Sequence, residues 1–472
     1  MSYKSVVVLG GGPIGLMCAI EAKQNFVKKV TIIEKRMGYT RTNVPQLQNP
    51  IVNHLESLGL NDQLWAGRRK GDSVPFAQIE EALWSKAESV GVKMKRGFIV
   101  ENVTGKDKKK DGFYKSMVLS VKAWDPQQKD IVAASKPEKL PCDLFVIAAG
   151  GGVASDPIMK ILGFAHDKLK AKNYGAFGIF TPFTSYHDPG APNFDRNLAQ
   201  QVAPITKQIV SGQIGFTTPD HNYLLVTLSQ CTKSDYKLLV KNSDKLKEVL
   251  VSVGKTIGST VLNDIKEVQK NMAVFKIAIQ RAQQFFSPDY PAIIVGDAAV
   301  TPHPEAGSGI GAGFKGFEEV QKLFSALRDT HRSENPSVSF LSFAASYELV
   351  VSKKALEGTK IVLRNQKLLL ETFKADVHAA TVPTMPKNVR DFAVQMEAIA
   401  DLLINDLERQ KQQAEGFLDH LEGQNGNLNW DATVGALWRD IDKTYAQIKN
   451  LTANMSLLAD RLKELESKIQ FT

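Results

Sequence analysis

The stretch that decides the fold is Ser5–Glu34, which reads SVVVLGGGPIGLMCAIEAKQNFVKKVTIIE. Ser5–Leu9 is a short β-branched run that predicts a buried parallel strand, and Val30–Ile33 predicts a second one. Between them, the glycine-rich segment GGGPIG leads into a helix with an apolar face. The stretch therefore predicts one β-α-β unit of a parallel sheet.

The glycine spacing in this unit is the dinucleotide-binding pattern GxGxxG. Gly10 permits the tight turn, Gly12 lets the backbone approach a pyrophosphate, and Gly15 lets the helix pack close to the strand. The helix N-terminus then stabilises the pyrophosphate charge, and a carboxylate at the end of the second strand accepts hydrogen bonds from ribose hydroxyls. The dinucleotide-binding residues predicted here are Gly10, Gly12, Pro13, Ile14, Gly15 and Glu34.

A second motif far downstream favours FAD over NAD as the dinucleotide. Ala292–Val295 predicts another short parallel strand, and Gly296 and Asp297 follow it directly. An aspartate at a strand end can hydrogen-bond a ribityl hydroxyl, and small residues at the next helix start leave backbone N–H groups free for a flavin ring. The cofactor-binding residues predicted from this motif are Asp297, Gly307, Gly309 and Ile310.

Together the two motifs resemble the FAD-dependent aromatic-hydroxylase superfamily, which has the p-hydroxybenzoate hydroxylase fold. Within it, the sequence is most similar to the flavin monooxygenase domain of the MICAL proteins. The stretches that carry this likeness are Glu34–Gln48 (EKRMGYTRTNVPQLQ), Phe76–Val92 (FAQIEEALWSKAESVGV) and Gly296–Phe314 (GDAAVTPHPEAGSGIGAGF). The resemblance covers roughly residues 1–375.

The resemblance implies further contacts with the cofactor and a reaction class. Arg41 and Asn43 should lie against the flavin, Gln78 should help to hold the FAD, and Lys35 belongs to the same cofactor-binding element. It also implies an FAD-dependent monooxygenase that acts through a C4a-hydroperoxyflavin on an unidentified substrate. The cofactor does that chemistry, while the protein positions it and excludes water.

One departure from the family pattern concerns the electron donor. The family carries an Asp-Gly motif after the strand that corresponds to Asp143–Ala149, whereas Ala149 and Gly150 stand there in this chain. In the family that motif serves both FAD and NAD(P)H, so Gly150 is predicted to contact FAD. Use of NADPH or NADH stays open. The alternative is an FAD-dependent oxidase or dehydrogenase with another electron donor.

Two polar residues are candidates for catalysis. His303 and Glu305 lie in the loop that should face the isoalloxazine ring, so they could contact substrate. Alternatively, His303 and Glu305 are polar side chains of a solvent-facing loop with no catalytic role. The sequence contains no cysteine or histidine spacing that indicates a metal site.

The chain is predicted to be an α/β protein with three parts. Residues 1–172 and 286–377 form a discontinuous, Rossmann-like FAD-binding domain, interrupted by an α+β substrate domain over 173–285. After a proline-containing linker, residues 385–472 predict a C-terminal all-α helical hairpin. Its apolar stripes include Phe392, Met396, Ile399 and Leu403.

The apolar seam of the hairpin must be covered, and the sequence leaves three ways open. The seam could close on itself, on the catalytic body or on a second copy as a coiled-coil dimer. A helical tail that recruits a protein partner for a flavoprotein scaffold is a further alternative.

Composition excludes several classes of protein. With 43% hydrophobic and 23% charged residues, the chain of 472 residues is neither disordered nor of low complexity. The net charge of +9 divides unevenly, since the part from residue 384 onward has 10 Lys/Arg against 14 Asp/Glu. The remaining excess of +13 suits a diphosphate cofactor better than nucleic acid.

Partners and compartment follow from the same kind of observation. Without a secretory signal or a membrane span, a cytoplasmic location is expected, and three scattered cysteines fit a reducing compartment. The substrate is expected to be a small molecule or a protein.

Overall fold

A computed structural model describes most of the chain, and the structural statements below concern only those residues. The described residues are 3–39, 41, 45, 47, 49–67, 70, 74–108, 113–128, 130–132, 136–152, 156–171, 173–180, 210–217, 222–228, 233–257, 272–304, 309–329, 336–381, 383, 385–423 and 429–469. Contacts divide the chain into two compact units, Met1–Lys168 with Ile279–Ala355, and Leu169–Ala278 with Leu356–Thr472.

The core of the first unit is a five-stranded parallel sheet. Its strands are β1 (Ser5–Leu9), β2 (Lys29–Glu34), β3 (Lys93–Arg96), β8 (Leu144–Ile147) and β15 (Ala292–Ile294), in the order β15-β8-β1-β2-β3. Strands β1, β8 and β15 are buried almost throughout, as continuous apolar runs should be in a sheet covered on both faces. The predicted β-α-β unit is confirmed, since β1 pairs in parallel with β2.

In chain order, the helices of this unit are α1 (Pro13–Asn25), α2 (Asn49–Ser57), α3 (Asn61–Trp65), α4 (Phe76–Ser89), α5 (Pro157–Ile161), α8 (Gly309–Asp329) and the first part of α9 (Pro336–Ala380). Helix α1 contacts both α4 and α8, so burial extends around most of its surface and is not limited to one apolar face. The helix that begins at the glycine turn is therefore fixed from several sides.

Two smaller sheets complete the first unit. One is antiparallel and contains β4 (Phe98–Lys108), β5 (Tyr114–Asp125), β6 (Asp130–Ile131) and β7 (Glu138–Cys142). The other contains β9 (His166–Lys168), β14 (Gln280–Ala282) and β16 (Val300–Thr301). The second of these adjoins the predicted flavin motif, because β16 follows a 3-10 turn at Gly296–Ala298.

The second unit contains a four-stranded antiparallel sheet. Its strands are β10 (Asn173–Phe180), β11 (Val210–Thr217), β12 (Asn222–Leu228) and β13 (Ala273–Ile277), in the order β11-β12-β10-β13. Helices α6 (Lys233–Lys241) and α7 (Ser243–Ile257) share a buried core with it. That core contains Tyr174, Val226, Leu239 and Leu250. A substrate domain over 173–285 stays a prediction.

Three long helices form the rest of the second unit. The later part of α9, α10 (Lys387–Gly423) and α11 (Val434–Ile469) pack as a bundle. Ion pairs between α9 and α10 link Lys360 to Glu415 (3.2 Å), Lys367 to Glu408 and Lys374 to Asp401 (2.6 Å). Positions rise along one helix by seven while they fall along the other by seven, so these two helices are antiparallel.

Two buried side-chain hydrogen bonds join α11 to its neighbours. The indole Nε1 of Trp438 donates to Thr359 Oγ1 (2.9 Å), and Gln410 Nε2 donates to Thr444 Oγ1 (2.9 Å). The predicted hairpin of α10 and α11 is therefore covered within the chain by α9. Closure on the catalytic body was one of the three ways that the sequence left open, but the sequence did not single out this helix as the cover.

The predicted apolar stripe of α10 is only half buried. Met396 and Leu403 are buried, whereas Phe392 and Ile399 are exposed. The buried positions instead include Ala393 and Ala400, since small side chains let the helices approach closely and shift the buried face. Apolar spacing alone did not distinguish the buried face from the neighbouring one.

None of the helices in the described ranges has both the length and the hydropathy that a membrane crossing requires.

Candidate functional site

The glycine turn after β1 is built by close backbone contacts. Gly10 has φ of +105°, and its N–H donates to Ile33 O at 2.8 Å. A Cβ at Gly10 would lie 2.4 Å from Ala148 O, and one at Gly15 would lie 2.1 Å from Gly10 O. These two glycines are required by the packing of the turn itself.

Gly12 differs from its neighbours because packing does not require it. It precedes the first residue of α1 with no side-chain cap, and a Cβ there would meet only Glu80 Oε1, at 3.9 Å. The missing side chain therefore leaves free space beside the helix N-terminus. Space, backbone N–H groups and the positive end of a helix dipole together fit a diphosphate.

Glu34, at the end of β2, is 4% exposed and is held by two neighbours. Its carboxylate accepts from Gly11 N (2.7 Å) and from Arg36 N (2.8 Å), Nε (3.0 Å) and Nη2 (3.1 Å). Burial raises the pKa of Glu34, but the hydrogen bonds from Arg36 and Gly11 outweigh it and lower the pKa. Glu34 is thus an ionised acceptor beside the turn, as a ribose-binding residue should be.

A stack of arginine and aromatic side chains lies beside Glu34. The guanidinium of Arg36 lies 5.0 Å and that of Arg96 4.9 Å from the Tyr39 ring centroid. Arg96 also lies 3.8 Å from the Trp84 ring, and the Tyr39 hydroxyl donates to Gly11 O. The stack fixes the segment after β2 against the turn, and sequence reasoning did not identify it.

Glu80, on α4, is a second buried carboxyl that sequence reasoning missed. Its side chain is fully buried; Oε1 lies 3.5 Å from Arg36 Nη2 and 3.8 Å from Arg41 Nη1. Burial raises its pKa, with Arg41 and Arg36 opposing the rise. A sequence signal existed, because Glu80 occupies a position between Ile79 and Leu83 on the buried side of the helix.

Asp297 lies after β15, at the same edge of the sheet as the glycine turn. Gly296 has φ of +62°, and its N–H donates to the hydroxyl of Tyr347 at 2.8 Å. Asp297 is exposed, yet desolvation by the surrounding protein raises the pKa of its carboxyl group, with Arg41 opposing the rise. A Cβ at Gly296 would lie 3.4 Å from Ile14, so the two predicted motifs are neighbours.

The segment that replaces the family's Asp-Gly motif follows β8. Gly150 has φ of +79°, and a Cβ there would meet nothing within 4 Å. A Cβ at Gly151 would lie 2.3 Å from Thr301 Oγ1 and 3.1 Å from Gln280 Nε2. Gln280 also donates to Gly151 O, so this segment is tied to the small sheet of β14 and β16.

The structure gives other predicted residues specific positions. Pro13 is the first residue of α1 and is buried. Ile14 packs against α8 at Gly313, where an added Cβ would lie 2.6 Å from the Ile14 side chain. Lys35 is exposed, with Nζ 5.8 Å from the Trp124 ring. Gln78 donates to Gln63 O at 3.1 Å and therefore stabilises the end of α3.

The catalytic candidates are only partly described. His303 is fully buried, which does not match a solvent-facing loop residue. Asn43, Glu305 and Gly307 lie outside the described residues, and Gly309 and Ile310 begin α8 with side chains that are not described. No group of three His, Cys, Asp or Glu side chains within the described ranges could hold a metal ion.

Comparison with solved structures identifies the fold. Over 91% of this chain and 100% of the other, p-nitrophenol 4-monooxygenase PnpA from Pseudomonas putida matches with a TM-score of 0.52 and 14% identity. Flavin-dependent brominase Bmp2 matches over 95% of this chain and 100% of its own, with a TM-score of 0.50 and 15% identity. Aklavinone-11 hydroxylase, solved with FAD and aklavinone, matches over 75% of this chain and 68% of its own, with a TM-score of 0.50 and 15% identity.

The chain shares the fold of these solved structures. No protein-family model matches it, and no curated protein matches its sequence. At 14–15% identity the likeness establishes architecture, so the chemistry must be argued from the residues of this chain.

Proposed function

We propose that this chain binds FAD across the carboxyl edge of its parallel sheet. The observation that carries the proposal is the convergence of three groups at that edge. The turn at Gly10–Gly12 follows β1, Glu34 ends β2, and Asp297 follows β15 in the same sheet. Ligands of open parallel sheets bind at this edge, where strand ends and helix N-termini meet.

Each group has a role that suits one part of the cofactor. The free space beside Gly12 and the N-terminus of α1 suit the diphosphate, and the ionised Glu34 suits the hydroxyls of the adenosine ribose. Asp297 suits a hydroxyl of the ribityl chain. Arg41 opposes the rise in pKa of both Glu80 and Asp297, so its guanidinium lies near both carboxyl groups and suits a role in cofactor binding.

The reaction that this arrangement supports best is FAD-dependent monooxygenation. A bound flavin would supply the activation of O₂, while the protein binds it, orients it and excludes water. The names of the solved structures with this fold include p-nitrophenol 4-monooxygenase and aklavinone-11 hydroxylase, which favours a small aromatic substrate. A likeness to MICAL monooxygenases, with a protein substrate, is the finer alternative.

The first experiment is reconstitution with FAD. Purified protein should show flavin absorbance after incubation with FAD and gel filtration, at about one flavin per chain. Mixing the reduced enzyme with oxygenated buffer and a panel of phenols should then give hydroxylated products by mass spectrometry. Protein that retains no flavin under any condition would contradict the cofactor assignment.

The replacement of the family's Asp-Gly motif favours a second candidate, an FAD-dependent oxidase or dehydrogenase with a donor other than NAD(P)H. Ala149 stands where the family has Asp, and the following Gly151 packs closely against Thr301 and Gln280. Anaerobic stopped-flow with NADPH and NADH separates the two candidates. Rapid bleaching of the flavin supports the monooxygenase. The absence of bleaching supports the second candidate.

A further inference from the structure

The most unusual feature of the proposed FAD site is a buried acid where an anion should bind. Glu80 is 0% exposed, and its Oε1 lies 3.9 Å from the position that a Cβ of Gly12 would take. That position borders the space assigned to the diphosphate. A carboxylate and a diphosphate in contact would repel each other strongly, because buried charges are poorly screened.

The hydrogen bonding of the Glu80 carboxyl group is incomplete. Oε1 has Arg36 and Arg41 as neighbours, both at 3.5 Å or more, whereas Oε2 is buried without a hydrogen-bond partner. A buried polar atom without a partner is costly and usually indicates a missing ligand or water. Oε2 is thus the carboxyl oxygen that lacks a partner, while Oε1 is the oxygen that lies near Gly12.

The local charge balance shows what such a group would require. The charged groups that face Glu80 are Arg36, Arg41 and Glu34, with the Tyr39 hydroxyl nearby. Arg36 is already bonded to Glu34 through several atoms. The two arginines balance the two carboxylates, so a diphosphate would add about two uncompensated negative charges, and protonation of one carboxyl would reduce them to about one.

We propose that Glu80 binds the cofactor in its protonated form and donates its O–H to a diphosphate oxygen, so that FAD binding takes up one proton. This inference rests on the proposed function. The proton comes from solvent when FAD binds and returns to solvent when FAD leaves, and no bond other than O–H changes. Burial, which already raises the pKa of Glu80, reduces the cost of this protonation.

The pH dependence follows from linkage. A bound diphosphate would raise the pKa of Glu80 above its value in the free protein. The complex then holds more protons than its separated components in the pH range between the two values. In that range the Kd for FAD should rise about tenfold per pH unit. Below both pKa values, and above both, the Kd should level off.

Isothermal titration calorimetry of FAD into the wild-type apoprotein tests the proposal without any turnover. Titrations in PIPES, HEPES and Tris at one pH separate proton uptake from the heat of binding. The expected uptake approaches one proton at a pH that lies between the pKa values of Glu80 in the free protein and in the complex. Glu80→Gln should abolish the uptake and flatten the pH profile of the Kd. Glu81→Gln, which changes an exposed neighbour on α4, should preserve both.

Three outcomes would overturn the proposal: FAD binding with no proton uptake, a wild-type Kd that is independent of pH, or Glu80→Gln that keeps the wild-type uptake. If Glu80→Gln does not fold, Glu80→Asp provides the test. It should shift the midpoint of the pH profile of the Kd, and an unchanged midpoint would contradict the protonation of Glu80. Wild-type protein that binds no FAD at any pH contradicts the proposed function itself, which keeps the two failures distinct.

Discussion

The glycine turn and the helical bundle use glycine in opposite ways. In the turn, a Cβ at Gly10 or Gly15 would lie within 2.4 Å of backbone oxygen, whereas Gly416 in α10 has nothing within 4 Å. At Gly10 and Gly15 the turn depends on contacts that exclude a side chain, while the bundle depends on side chains repeated at regular spacing. Substitutions should therefore be severe and local in the turn, and graded in the bundle.

The largest effect should come from Gly15→Ala. The added Cβ would lie 2.1 Å from Gly10 O, which is backbone and cannot move without opening the turn. We expect a loss of more than about 3 kcal/mol of unfolding free energy, measured by urea denaturation of the apoprotein followed by circular dichroism. The matched control is Gly416→Ala, which should stabilise by about 0.5–1 kcal/mol. Equal effects at both positions would contradict the comparison.

Gly12→Ala should separate ligand binding from folding within the turn. A Cβ there meets only Glu80 Oε1, at 3.9 Å, so the unfolding free energy of the apoprotein should stay within about 1 kcal/mol of the wild-type value. The same Cβ would occupy the space assigned to the diphosphate, so the Kd for FAD should rise at least about tenfold, or 1.4 kcal/mol. Titration by flavin fluorescence measures it. Unchanged affinity would place the diphosphate elsewhere.

In the bundle, two buried polar pairs should respond differently to substitution. Trp438→Phe removes the donor to Thr359 Oγ1 from a fully buried site and should cost about 1–3 kcal/mol. Gln410→Met should stay within about 1 kcal/mol of wild type, because Gln410 Oε1 has no partner and removing it offsets the lost bond to Thr444. Thermal unfolding of the two variants, compared at one pH, checks the order.

The smallest effect should come from the ion pair of Lys367 and Glu408. Both side chains are about one-third exposed, so a double-mutant cycle with alanine should give a coupling of about 0.2–1 kcal/mol. The hydrogen bond from Lys367 lowers the pKa of Glu408. Because the pKa of Glu408 is lower in the folded protein, the ion pair stabilises the fold at pH values above the unfolded-state pKa of about 4.3. The coupling should vanish as the pH falls through the lower pKa of the folded protein. Coupling that persists at pH 2 would contradict this origin.

The parts of the fold that are local in sequence were predictable. The turn at Gly10–Gly15 and Glu34 at the end of β2 lie within 30 residues, so the spacing of these residues was enough to predict both. The strand before Asp297 and the break before α10 are local as well. Periodicity correctly assigned α10 and α11 as helices, but it did not determine which of their apolar positions are buried.

What only the tertiary structure decided is which distant residues meet. The sequence by itself determined a dinucleotide turn, an acidic strand end and a GDA turn, because backbone sterics and short-range spacing require those residues. It could not place Glu80 of α4 beside Gly12, Arg96 of β3 against Tyr39, or α9 over the hairpin. Those contacts join residues that are distant in the chain, and packing of whole elements, with the cost of burying charge, selects them.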